Sequence, residues 1–270
     1  MSESNLTEAR PARYREVALK ALARLSEGKT DAATLHRART HLRRLHAYLE
    51  LAGEDRPAAS IARCVRRMSK VRTLQVLAHY LKTQDAPRSD RKAVRHRLRA
   101  ARQKLARARV YATIERIVRR QALPSIPTDP VRLAELMQAA RDAHVGALRR
   151  LTDEAGSKAG RRSLHRIRLL IKSIRYQEEW ALGRPFAKPS LIRRLKHIQK
   201  VLGDYEDLVH FRKMARTMNL RSLPSITKTW HRARARARAL PAHLVEHLGV
   251  TAGPRFRLVD GRHASGPAAR

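Results

Sequence analysis

Apolar residues recur at helical spacing over most of the chain. Leu35, Ala38, Leu42, Leu45 and Leu49 form one stripe, Leu164, Ile167, Ile171 and Ile174 a second, and Leu191, Leu195, Ile198, Leu202 and Tyr205 a third. Steps of three and four residues mark helices that bury one face, so these sets are expected to form a helical core. The surrounding positions are rich in Ala, Leu, Arg, Lys, Gln and Glu, all good helix formers, and no segment reads convincingly as a strand. Gly, Pro, Ser and Asp signals interrupt the pattern near 28–31, 53–57, 85–90, 123–130, 156–160, 183–189 and 219–224. Seven breaks predict eight helices, each of roughly 20 to 30 residues.

The break at 123–130 reads LPSIPTDP, with three prolines in eight residues, and is expected to act as a linker between halves at 8–122 and 131–248. The second helix of each half carries the same signature, Leu35-His36-Arg37-x-Arg39 and Leu164-His165-Arg166-x-Arg168, at an offset of 129 residues. Repetition of this kind predicts an all-α protein built from two four-helix bundle halves in a pseudo-twofold arrangement, with a groove or channel between them. Residues 249–270, VTAGPRFRLVDGRHASGPAAR preceded by Gly249, lack periodicity and read as a disordered tail.

Charge changes the picture. Sixty Lys and Arg against 23 Asp and Glu give a formal net charge of +37, which opposes compaction unless anions are held close. A strongly negative partner is therefore expected. Nucleic acid, an anionic membrane surface and an inorganic phosphate polymer all qualify on charge alone. The single cysteine, Cys64, excludes an intramolecular disulfide and Cys-rich metal sites. The polar start, and the lack of any apolar run near the ~20 residues that span a bilayer, lead us to expect a cytoplasmic protein.

The repeated helix places its bases at a definite angle. With His36 at zero and about 100° per residue, Arg39, Arg43 and His46 fall at about 300°, 340° and 280°. Leu35, Ala38, Leu42, Leu45 and Leu49 lie between about 180° and 260°. The basic strip thus flanks the apolar stripe instead of opposing it, and His165, Arg168, Lys172 and Arg175 repeat the angles in the second copy. Side chains at such a shoulder can pack their stems while their heads enter a cleft between helices. A solvated helix face is the plainer alternative, and the second copy weakens it.

LHRARTHLRRLH and LHRIRLLIKSIRY resemble the His-x-x-Arg-x-x-x-basic pattern of the CHAD family, the histidine-containing α-helical domain. LKHIQKVLGDYEDL, from Leu195 to Leu208, resembles the family's Leu-Lys-x-Leu-Gln-x-x-Leu-Gly segment, and IARCVRRMSKVRTLQVL, from Ile61 to Leu77, its counterpart in the first half. The resemblance extends from about residue 8 to 248. It implies non-enzymatic binding of inorganic polyphosphate, with no cofactor or metal, between two four-helix halves. The implied ligands are His36, Arg39, Arg43, Arg44, His46 and Arg72 in the first half, and His165, Arg168, Lys172, Arg175 and Lys196 in the second. Association with polyphosphate-containing granules is a further expectation from the resemblance. Departures stand at His46, usually arginine, at Ser173, often basic, at Ser69, which replaces the glycine matched by Gly203, and at Thr73 and Gln75, usually acidic. Glu206 and Asp207 keep their acids, so an asymmetric site is expected.

Arginine forks grip two phosphate oxygens while lysine acts as a mobile point charge, and the mixture suits a polymer of arbitrary register. Nucleic acid is the rival partner, because residues 90–122 and HRARARARAL at 231–240 are Arg-rich enough to lie on any phosphate backbone. Aromatic residues make up only 4%, which leaves few stacking platforms for single strands. An enzyme of phosphate polymers would need clustered carboxylates beside the basic face, and no such cluster is found in the sequence. Gly28-Lys29-Thr30 lacks the strand and upstream glycine of a phosphate-binding loop, and HLVEH at 243–247 has no later glutamate to complete a zinc site. Glu178 and Glu179 are read as partners of nearby bases, and Trp180 and Trp230 as packing anchors.

Overall fold

The computed structural model describes residues 3–127, 129–155, 159–184, 186–241 and 244. Among them stand ten α-helices and no strand: α1 (Glu3–Ser26), α2 (Ala32–Leu51), α3 (Asp55–Arg67), α4 (Ser69–Thr83), α5 (Arg88–Arg107), α6 (Val110–Arg120), α7 (Pro130–Ala155), α8 (Arg161–Trp180), α9 (Pro189–Thr217) and α10 (Leu223–Ala239). Each of the seven expected breaks covers a junction between two helices, and those at 53–57, 85–90 and 219–224 run on into the first residues of α3, α5 and α10. The residues assigned to a disordered tail lie outside the described residues, as do His243, Glu246 and His247 of the HLVEH stretch.

Two expected helices are each broken once more, so the first half holds six helices in place of four. The first extra break is at Met68. Val65 lies in the last turn of α3, where carbonyls lose their intrahelical donors, and both Arg39 Nη1 and Ser69 Oγ donate to its oxygen. The second lies at Arg109, whose φ of 44° puts it in the left-handed region. No glycine marks either position.

The start of α2 is fixed by Asp31, whose carboxylate accepts from the Thr34 backbone N–H and hydroxyl. Gly28 takes a φ of 86° in the turn ahead of it, so Gly28-Lys29-Thr30 ends one helix and leads to the next. α2 packs on α1, α3, α4, α7 and α8, and α8 packs on α2, α7 and α9, which puts the two repeated helices side by side at the centre.

The halves do not keep separate cores. One buried cluster joins Leu22, Leu42, Ile61, Leu77 and Ile114 of the first to Leu148, Ile171, Leu195 and Phe211 of the second. Apolar faces buried against one another across the halves leave less area in water than two bundles closed on themselves. A smaller cluster, with Tyr48, Leu51, Ile126, Met137 and Trp180, sits beneath the linker. Tyr48 donates its hydroxyl to the Pro124 carbonyl, and its ring lies 5.8 Å from that of Trp180. The proline-rich segment is thereby docked on the bundle, and Trp180 is a packing anchor.

Candidate functional site

A cleft of about 810 Å³ opens where α2, α3, α4, α7, α8 and α9 meet. His36, Arg39, Arg43 and His46 enter it from α2, Arg72 from α4, and His165, Arg168 and Lys172 from α8. Eight of the residues marked in the sequence thus line one cavity. The shoulder angle explains the result, since it carries the stems into the packed layer and the heads into the space between helices.

Desolvation sets the electrostatics. Arg39 is 6% exposed and Lys172 8% exposed. Burial, reinforced by Arg43 and Arg72, pushes the Arg39 guanidinium down to about 9. Burial together with Arg43 and Arg168 pushes Lys172 down to about 6, against the pull of Asp207. Arg168 and Arg72 are lowered for the same first reason, burial. His36 is lowered by burial and then by Arg72, Arg43 and Arg39. These cations crowd one poorly solvated space, and each makes charge on its neighbours more costly.

The cleft also holds three acids. Asp207 is raised by burial, although Arg168, Lys172 and Arg72 work against the rise. Burial acts the same way on Glu206, yet hydrogen bonds and charge from His165 and His210 hold it well below the usual carboxylate range. Glu206 Oε1 lies 3.2 Å from His210 Nε2, 3.3 Å from Arg161 Nη2 and 3.5 Å from His165 Nδ1. At the other end Glu50 takes a hydrogen bond from Ser173 and lies 3.2 Å from His46 Nδ1. Among the described residues, no carboxylate comes within ion-pair distance of Arg43, Arg72, Arg168 or Lys172. A flexible chain of anions would relieve both their repulsion and their lost hydration.

Arg44, Arg175 and Lys196 do not line the cleft. They gather on Glu179, at 3.5, 3.1 and 3.7 Å respectively. Arg44 follows His36 by eight residues and so lies at about 80°, outside the arc of the strip. Its guanidinium sits over the Tyr14 ring at 5.6 Å, while that of Arg175 sits over Tyr176 at 4.3 Å. Glu179 therefore does pair with nearby bases. Glu178 instead is buried against Arg141 of α7, with Nε–Oε1 2.6 Å and Nη2–Oε2 2.9 Å.

The sequence reading missed His144 on α7, His210 on α9, and Arg66 and Arg166 at the cleft wall. His210 was discoverable, because it stands four residues after Glu206 on one helix face. His144 has no such signal. Among the described residues no group of three or more His, Cys, Asp and Glu is placed to hold a metal ion.

An all-helical fold with a desolvated cationic cleft at its centre defines the class. The CHAD domain family model matches residues 13–216, and the chain belongs to that family. Its fold is also similar to the crystal structure of the CHAD domain from the plant Ricinus communis, with 17% identity, a TM-score of 0.61, and 93% of this chain and 92% of that chain covered. Among curated proteins none matches the chain. No described helix is long and apolar enough to cross a membrane.

Proposed function

We propose that this protein binds inorganic polyphosphate along the α2–α8 cleft and catalyses no reaction there, needing neither cofactor nor metal. The observation that carries the reading is the set Arg39, Arg43, Arg72, Arg168 and Lys172 around one cavity: among the described residues no carboxylate reaches ion-pair distance of Arg43, Arg72, Arg168 or Lys172, and the nearby charge of Asp207 leaves Arg72, Arg168 and Lys172 still lowered. Their burial favours a thin chain of phosphates over a duplex, whose bulk would keep its backbone from Arg39 and Lys172. The proposed setting is the cytoplasm, at granules where polyphosphate is concentrated.

Sequence-independent nucleic-acid binding remains the second reading, favoured by the exposed Arg95, Arg97 and Arg99 along α5. One experiment separates the two. Fluorescent polyphosphate is bound and then challenged with duplex DNA at equal phosphate concentration, with Arg39→Glu and Arg168→Glu variants alongside. Weak displacement by DNA, together with lost affinity in both variants, supports the cleft. Ready displacement by DNA and unchanged variants sink it.

A further inference from the structure

The cleft has a continuation. A second groove of about 440 Å³ runs between α4, α5 and α9, and its walls share Ser69, Thr73 and His210 with the cleft. Beyond that junction it is lined by Lys70, Arg97 and Lys213, with Leu74, Met214 and Met218 as its apolar side. Among the described residues no carboxylate lines it. Lys70, Arg97 and Lys213 are exposed, and none of the three has a side-chain hydrogen bond or ion pair among the described residues. The residues at the junction are two small hydroxyl side chains and a half-buried histidine, so the passage is polar.

The placement assigns a use to one part of α5. Its long Arg-rich face is mostly turned to solvent, where a basic stripe would serve any polyanion equally. Arg97 differs from its neighbours in standing over a groove that leads into the cleft. Three unpaired cations from three helices converge there, and a linear polyanion leaving the cleft at His210 meets them next.

We propose that the α4–α5–α9 groove is a second subsite for the same phosphate polymer, engaged only by chains long enough to extend from the cleft past His210. The proposal rests on the cleft reading above. It gives the protein a preference for long chains that the central cations alone do not supply. Each phosphate charge neutralised adds about 0.7 to the dependence of log affinity on log salt, by analogy with single-stranded nucleic acids.

The test compares tripolyphosphate with long-chain polyphosphate on the full chain and on a Lys70→Gln, Arg97→Gln, Lys213→Gln variant. Long-chain affinity should fall about tenfold, as expected for three exposed charge contacts, while tripolyphosphate binding is unchanged. The long-chain salt slope should drop by about 2. Equal long-chain affinity and slope in both proteins overturns the proposal, and so does a variant that loses duplex DNA binding alone. Arg39→Gln in the same assay reports on the cleft itself: if it leaves tripolyphosphate binding untouched, the cleft reading is what has failed.

Discussion

Ser173 on α8 donates its hydroxyl to the carboxylate of Glu50 on α2. The 129-residue offset carries Ser173 back to Arg44 and Glu50 forward to Glu179, and Arg44 indeed bonds Glu179 at 3.5 Å. The two contacts exchange across the α2–α8 seam, as a self-complementary interface requires. They differ in charge, since one is a neutral donor and the other a cation. Replacing the neutral donor should strengthen the cleft, because Ser173 is part of its lining and Arg44 is not. Ser173→Lys is expected to steepen the salt dependence of polyphosphate binding by about 0.7. An unchanged slope in a fluorescence titration at several salt concentrations would count against Ser173 facing the ligand.

Arg141 and Glu178 are 6% and 1% exposed by side chain, and Arg141 Nη2 also donates to the Phe186 carbonyl. A forked pair this deep costs a great deal to break and little to replace. Arg141→Met should destabilise the fold by about 3 to 5 kcal/mol, because Glu178 is left charged and unpaired. The double variant Arg141→Met, Glu178→Leu should recover most of that loss. Denaturant melts of the two single variants and the double provide the cycle, and additive losses would show that the pair does not act as a unit.

The outline of this site was legible because periodicity and charge agree at the same positions. Leu35, Leu42 and Leu49 fix the buried face of α2, and His36, Arg39 and Arg43 keep a constant angle to it. Duplication then located the second wall at His165, Arg168 and Lys172. What escaped was tertiary in origin. The break at Met68 carries no Gly or Pro and is supported by Arg39, a residue of another helix, reaching the Val65 carbonyl. Arg109 adopts a left-handed conformation that a non-glycine residue does not advertise. The grouping of Arg44, Arg175 and Lys196 on Glu179 depends on which helices lie side by side, and single-helix angles do not contain that information.

Asp90, near the start of α5, ties that helix to the turn before α10. Its two oxygens accept from the Arg221 N–H, the Ser222 N–H and the Ser222 hydroxyl. Burial would raise its pKa, but the bonds from Ser222 and Arg221 outweigh this and lower it. A native pKa below the unfolded one stabilises the fold above the ordinary carboxylate range near ~3.9, and that contribution is lost as pH falls through the native value. Asp90→Asn should therefore cost about 1 to 3 kcal/mol at neutral pH. The gap to the parent should close in acid. Melts in which the gap persists at low pH would contradict the ionised Asp90.

Lys172 makes the cleft sensitive to pH in a direction that can be worked out. Its native pKa of about 6 lies far below the ~10.4 of an unfolded lysine, so between these values the unfolded chain holds the extra proton. In that window the lysine's burial weakens the free protein most at the acid end, and the penalty fades as pH rises. Phosphates placed against Lys172 favour the charged form and raise its pKa. Binding should then take up protons, and affinity should fall as pH climbs from about 6. His36, also lowered by burial, acts in the same sense. Calorimetry at about pH 8 in two buffers of different ionisation enthalpy should give different heats for the parent and much closer heats for Lys172→Met. Identical heats in the parent would mean that no buried lysine regains its proton when polyphosphate binds.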